Sequence, residues 1–290
     1  MMMKWRDERG MALVFVLSLL VTLGLVATEV ARSARSEAAL VSGVRARSVG
    51  RYAAESGIAA AMVRIHALLD SAGAGPDQAK AFRRLDSALA RIEAGPEGTS
   101  RFRVAVVNLN ARIDLNRANQ ATLREFLAQF TSRQRADQTV AALMKEPLRR
   151  VGELARVPGM DQALAFDIAP YVTVWSDGLI DLNAAPEAVL AAIPGVGSAT
   201  AQSLVQRREE GEVFTSTDPM RRPRQNSGDT DEMGSPAPSQ PFPQVVTAPT
   251  RLLLISRGWQ AGHPLTHEIQ AAYLVLGHRL VLQAWWERDL

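Results

Sequence analysis

Apolar residues run unbroken from Met11 to Thr28, MALVFVLSLLVTLGLVAT, and no charge interrupts them. At about 1.5 Å per residue this run spans about 27 Å, close to the roughly 30 Å hydrocarbon core of a bilayer. It predicts a transmembrane helix in which the hydroxyls of Ser18 and Thr22 return to the helix backbone. A secretory signal peptide has a shorter apolar run and small residues at its cleavage site. Here the following residues are Glu29-Val-Ala-Arg32, a poor cleavage context. Lys4, Arg6 and Arg9 precede the run and Arg32, Arg35, Arg45 and Arg47 follow it, so basic residues do not fix its orientation.

The helix is predicted to continue beyond the membrane. Ala54, Ile58, Met62, Ile65 and Leu69 recur at helical spacing, while Arg51, Glu55 and Arg64 fall on other faces. No proline lies between Met11 and Leu69, and the pattern ends near Asp70-Ser-Ala-Gly73, where Gly73, Gly75 and Pro76 break it. Gly43, Gly50 and Gly57 lie seven apart; they admit a close neighbour or are sparse glycines the helix tolerates.

The body of the chain changes period. RFRVAVVNLNARID, from Arg101 to Asp114, alternates as a strand does, and Arg251–Arg257, Glu268–Leu276 and His278–Trp286 read as three more. Gly277-His278 predicts a tight hairpin turn between the last two. Strands on either side of a helical middle imply an α+β fold. A small antiparallel sheet carries a large inserted α-helical domain, and the second half of the long helix is available to cover one sheet face.

Within the insert, Ile113-Asp-Leu-Asn-Arg-Ala-Asn-Gln-Ala-Thr-Leu123 matches Ile180-Asp-Leu-Asn-Ala-Ala-Pro-Glu-Ala-Val-Leu190. Asn116 and Asn183 are placed to cap the helices that follow, and Pro186 falls in a first turn. The second helix should break at Ile193-Pro194-Gly195-Val-Gly197, with a further helix from about Ser198 to Arg208 closed by Gly211. Val157-Pro-Gly159-Met160 precedes another short helix, so the pattern is helix-hairpin-helix-like. Backbone N–H groups of Gly195, Val196 and Gly197 could hold a phosphate, assisted by Arg207 and Arg208. Against this, Glu209 and Glu210 follow directly and no basic stripe accompanies them, so no nucleic acid is expected. Glycine that permits a tight interhelical turn is the structural alternative.

Composition narrows the chemistry. The 290 residues include no cysteine, which excludes disulfides, thiol catalysis and cysteine-held metals. Net charge is +3 from 33 basic and 30 acidic residues, and Lys4, Lys80 and Lys145 are the only lysines. His263 and His267 are four apart beside Glu268, but Pro264 and the extended context oppose a helical metal pair. No Walker loop, GxSxG elbow or dinucleotide GxGxxG occurs, and no enzymatic activity is expected. Residues 215–249, rich in Pro, Ser and Gly, read as a surface loop. There Asp218, Asp229, Asp231 and Glu232 could supply oxygen ligands to calcium, though without EF-hand spacing; no cofactor is otherwise implied. Of Trp285 and Trp286, on alternating strand faces, one should pack on the helix and the other meet solvent or a partner.

The charged leader ending in Arg9-Gly10, followed by an apolar helix that runs on as an amphipathic one, resembles a type IV pilin-like prepilin. The resemblance implies cleavage between Gly10 and Met11 by a prepilin peptidase and methylation of the new amino terminus. Most such proteins carry Glu at the fifth mature position, where it compensates the buried terminal ammonium of the subunit ahead; here that position is Phe15. A tip subunit has no neighbour ahead to neutralise, and a membrane protein that never polymerises would also lack the acid. ELARVPGM, IAPYVTVWSDGLIDLNAAPEAVLAAIPGVG, NARIDLN and QAAYLVLGHRLVLQAWWERD, in their order, resemble the type II secretion system protein K family of minor pseudopilins.

What this resemblance implies is a pseudopilin fold, held in the bacterial inner membrane by one span with its bulk in the periplasm. It would cap and help initiate the pseudopilus with the I and J minor pseudopilins and the major pseudopilin. The expected organisation is a leader (1–10), transmembrane helix (11–28), periplasmic continuation (29–73), sheet domain (74–114 and 250–290), inserted α-domain (115–214) and loop (215–249). A membrane-anchored helix-hairpin-helix DNA-uptake protein and a minor pilin of a type IV pilus are the alternatives.

Overall fold

The computed structural model describes residues 5–72, 76–89, 100–220 and 244–290. In chain order the helices are α1 (Trp5–Ala72), α2 (Pro76–Leu89), α3 (Gln120–Ala128), α4 (Arg133–Leu143), α5 (Gln162–Ile168), α6 (Glu187–Ala191) and α7 (Gly197–Glu209). The strands are β1 (Ser100–Asn108), β2 (Ile113–Asp114), β3 (Val172–Thr173), β4 (Ile180–Asp181), β5 (Val245–Val246), β6 (Arg251–Gln260), β7 (Thr266–Leu276) and β8 (Arg279–Asp289).

The helix that the apolar run and its amphipathic sequel predict is continuous from Trp5 to Ala72, and Gly73 and Gly75 lie outside the described residues. Its carboxyl-terminal half buries Ala53, Ala54, Ile58, Ala61, Ile65 and Leu69 against one face of an antiparallel sheet ordered β1-β6-β7-β8. The sheet answers with Phe102, Val104, Leu252, Leu254, Ile269, Ala271 and Tyr273, alternate residues that share one side of the pleat. Small residues set the helix-to-sheet distance. A Cβ on Gly57 would run into Ser256, Phe102 and Val104, and one on Gly258 of β6 into the backbone of Gly50 and Ala54. Gly50 and Gly57 are therefore close-approach glycines, while Gly43 meets nothing within 4 Å.

β1 stops at Asn108, short of the Asp114 that the alternation suggests. The Asn108 side chain accepts the Asn110 N–H at 3.0 Å and folds residues Leu109–Ala111 into a single 3₁₀ turn. Asn110, fully buried, then points its amide across to Asp177 and the Leu179 carbonyl, at 2.8 and 3.0 Å, and accepts from the Thr250 and Arg251 N–H groups. Helix α2 was not signalled by the strand pattern around it; it packs Leu85 and Phe82 beside α1. The hairpin turn at Gly277-His278 forms where expected, with Gly277 at φ 57° and His278 Nδ1 2.9 Å from the Leu69 carbonyl at the end of α1.

The insert has its own core, built on Leu123, Phe126, Leu127, Leu154, Ile168, Leu190 and Leu204 and separate from that under α1. The repeated Ile-Asp-Leu-Asn segments become β2 and β4, which pair in parallel with β3 and β5. Their asparagines do not cap helices. Asp114 Oδ1 accepts the N–H groups of Asn116 and Arg117 at 2.9 and 3.0 Å, so the turn extends and Asn119 caps α3 instead. The Asn116 side chain reaches Leu148, and Asn183 binds the Phe214 and Thr247 backbones at 2.7–2.8 Å. Pro186 occupies the cap position of α6 and offers no side-chain acceptor. The segment 215–249 is not a free loop at its ends: Met220 is buried in the insert core and Val245 pairs with Ile180.

Candidate functional site

The first half of α1 makes no packing contact with the rest of the described residues. Every side chain from Met11 to Leu40 is exposed, and burial begins only near Ala46. Met11 is 72% and Phe15 75% exposed, within an 18-residue window of mean hydropathy 2.5. Large contiguous apolar surface of this kind belongs in lipid or against other apolar helices. The backbone needs no outside partner there, because helix hydrogen bonds satisfy it; Thr22 and Thr28 return their hydroxyls to the carbonyls of Ser18 and Gly24. Gly10 and Met11 lie inside the helical span of α1, not at its start.

Where α1 meets the sheet, an ionic lock joins it to β8 beside the apolar contact. Arg47 Nε lies 2.9 Å from Asp289 and Arg51 Nε 3.2 Å from Glu287 on β8. His267 on β7 sits between those carboxylates, with Nδ1 2.7 Å from Asp289 and Nε2 3.3 Å from Glu287. The His267 hydrogen bond, then Arg47, holds Asp289 below the usual carboxylate range. Glu287 is lowered by the Trp285 indole N–H and by Arg51. The next residue of β7, buried Glu268, is clamped by Arg257 and Arg288, both at 2.6 Å; burial raises it, but these guanidinium bonds and that of Gln270 leave it net lowered. His267 thus bridges two carboxylates by hydrogen bonds, and His263 turns away to accept the Leu265 N–H, so the two histidines do not converge.

The opposite sheet face meets the insert. Trp286 stacks on Trp175 with ring centroids 4.5 Å apart, so its partner lies in the same chain. Trp285, on the α1 side, is 37% exposed rather than packed. On the α1 side of the sheet the Asn108 amide donates to Asp181 at 2.7 Å, at the wall of a cavity of about 250 Å³ that Phe82 and Arg83 of α2 and Asn183 also line. Burial pushes the Asp181 carboxyl up to about 6, against the hydrogen bonds from Asn183 and Asn108 and the charge of Arg208. Asp114, its counterpart in the repeat, is also raised by burial, with three backbone N–H groups opposing.

The hairpin at Gly195 and Gly197 forms, with φ of 89° and 71°. Its middle residue, Val196, is buried and donates its N–H to the Ile193 carbonyl at 3.0 Å, which removes one of the three phosphate donors expected there. Arg207 is spent on a two-pronged pair with Glu212 at 2.6 and 2.7 Å, and Arg208 donates to the carbonyls of Leu182 and Ala185. Neither is placed to assist a phosphate. At the weaker hairpin, a Cβ on Gly159 would strike Thr139 and the Arg135 carbonyl of α4, so the glycine serves helix packing. Asp218 accepts from Ser216 at 3.0 Å, while Asp229, Asp231 and Glu232 lie outside the described residues. Among the described residues no group of three or more His, Cys, Asp or Glu is placed to hold a metal.

Asn110, the bridging position of His267 and the Trp175–Trp286 stack carry no local signal in the sequence; only the repeated Ile-Asp-Leu-Asn points towards Asp114 and Asp181. Residues 176–222 match the family described as helix-hairpin-helix motif. The structure is similar to a chain in the crystal structure of the GspK-GspI-GspJ complex of the type 2 secretion system of enterotoxigenic Escherichia coli. The two are 14% identical, with 73% of this chain and 92% of that chain covered and a TM-score of 0.47. No curated protein matches the sequence.

Proposed function

We propose that this chain is a minor pseudopilin that sits at the tip of a periplasmic pseudopilus of a type II secretion system. The observation that carries the reading is the division of α1: an apolar half with no packing contact among the described residues, and a second half built into a sheet. Such a helix inserts in the inner membrane and joins a bundle of similar helices, while the rest of the chain stays in the periplasm. A prepilin peptidase cuts between Gly10 and Met11. The I and J minor pseudopilins pack beside α1, and the major pseudopilin follows from below. Phe15 supplies no carboxylate for a terminal ammonium ahead, and the insert adds a second core to one side of the sheet. Bulk of that kind obstructs stacking along a shaft and is harmless at an end.

Cysteines introduced one at a time over residues 11–40 test this in cells. The expected result is crosslinks to partner pseudopilins at positions spaced as one helix face, together with mass spectrometry showing a mature chain that begins at Met11. Absence of crosslinks to every pseudopilin, or a chain still carrying residues 1–10 beside an active peptidase, overturns it. The helix-hairpin-helix match favours a second reading, sequence-independent duplex binding by the insert. Salt-sensitive gel shifts that weaken in Gly195→Val and Gly197→Val support it, and no shift at low salt removes it.

A further inference from the structure

Away from the sheet, the segment between α4 and α5 encloses a groove of about 500 Å³ walled by Pro147 and Pro158. Lys145, Arg149 and Arg156 stand exposed around it, and none is ion-paired or hydrogen-bonded through its side chain to a described residue. Of the two carboxylates in the lining, Glu153 is occupied by the backbone N–H groups of Arg149 and Arg150, at 2.9 and 3.4 Å. The lining thus carries three cations against two carboxylates, a net positive charge, and the backbone already holds Glu153 in place. The groove is also preformed. Asn116, one of the two asparagines of the repeat, accepts the Leu148 N–H and donates to the Leu148 carbonyl, both at 2.9 Å, and so pins the loop from behind. A partner need not supply the cost of ordering it.

We infer that this groove is a docking site for an extended acidic segment of a partner protein, its Asp or Glu carboxylates paired with Lys145, Arg149 and Arg156. Guanidinium groups recognise carboxylates by two parallel hydrogen bonds, and two of the three cations are arginines. Single-stranded nucleic acid, the other anionic polymer, is bound on aromatic platforms, and no residue lining this groove is aromatic. A duplex is too wide to enter a concavity of this size. The inference goes beyond the assembly role and stands without it.

The full-length chain in uncharged detergent is titrated against a fluorescein-labelled Gly-Glu-Asp-Gly-Glu-Asp peptide, with anisotropy as the readout. Binding is expected at about 50 mM salt and should weaken by about tenfold or more at about 300 mM. The triple variant Lys145→Gln, Arg149→Gln, Arg156→Gln should lose about tenfold or more in affinity, while Arg64→Gln on exposed α1 leaves it unchanged. Far-UV circular dichroism and the melting temperature confirm that each variant is folded. If the triple variant does not fold, Arg149→Gln and Arg156→Gln are measured singly, and each should weaken binding. Equal affinity for a Gly-Lys-Lys-Gly-Lys-Lys control, undiminished binding by the variants, or binding of a thymidine oligonucleotide in preference to the acidic peptide each overturns the proposal. So does complete displacement by millimolar inorganic phosphate, which marks a small-anion site instead.

Discussion

The side-chain amide of Asn108, the last residue of β1, donates to the buried carboxylate of Asp181 in the insert at 2.7 Å. This bond crosses from one core to the other, and it uses a carboxyl that burial pushes up to about 6. A carboxyl raised above its ordinary 3.8 binds its proton more tightly in the folded chain than in the unfolded one. Its contribution to stability is therefore greatest in acid and falls as pH climbs from about 4 to about 6, by at most about 3 kcal/mol. Asp181→Asn should remove this dependence, so that the variant gains on the parent chain as pH rises through that window. Urea unfolding followed by tryptophan fluorescence at steps between pH 4 and 7 measures the difference. A parent-to-variant gap that does not move with pH would show that Asp181 titrates normally.

Gly258 and Gly43 make opposite predictions from the same residue type. A methyl group on Gly258 meets the backbone of α1, which cannot swing aside like a flexible side chain, so Gly258→Ala should cost about 1–3 kcal/mol as an overpacked contact. Gly43→Ala meets nothing and should gain about 0.5–1 kcal/mol from helix propensity alone. Thermal melts of the two variants decide the matter. Equal and small effects would mean that α1 does not rest on β6 as closely as the backbone places it.

His267 lies between two carboxylates held below their usual range, and α1 is tied to both through Arg47 and Arg51. Acids with lowered values stabilise the fold above their ordinary range and lose that contribution as pH falls through their folded values. His267→Ala should cost about 1–3 kcal/mol at pH 7, where it strips a partner from each carboxylate, and less at a pH below their folded values, where both are protonated. Asp289→Asn, at a more exposed pair, should cost no more than about 1 kcal/mol. Equal losses at both pH values in His267→Ala would assign the ring to packing alone.

Legibility in the sequence followed the range of the forces involved. Periodic burial is local in sequence, so the apolar run, the face from Ala54 to Leu69 and the three carboxyl-terminal strands could be read directly. Gly195, Gly197 and Gly211 announced their turns because left-handed backbone is a single-residue property. Asparagine misled, since one side chain suits a helix cap and a long-range staple equally well. Asn116 and Asn183 chose partners 32 and 31 residues away, which no local rule could favour. The stop of β1 at Asn108 belongs to the same class: alternation continued through Ile113, but Asn110 found better partners in Asp177 and Thr250. The lock around His267 depends on β7 and β8 pairing, and becomes visible only once His267 faces Asp289 in register.

For the proposed place at the tip of a pseudopilus, Phe15 offers the sharpest test, because the expected behaviour of an acid there differs between positions in a fibre. It is 75% exposed, and no described side chain lies near enough to pair with a charge placed there. Phe15→Glu introduces a carboxylate that costs about 2.5–3.5 kcal/mol at the centre of a membrane helix when it stays unpaired. In a shaft subunit that cost is offset by the ammonium of the chain ahead. In a tip subunit nothing offsets it, so Phe15→Glu should reduce co-purification with the partner pseudopilins and reduce secretion, while Phe15→Leu leaves both unchanged. Immunoblots confirm equal amounts of each variant in the membrane fraction. If Phe15→Glu assembles as well as the parent, a neighbour must be compensating it, and this chain then sits below another subunit rather than at the end.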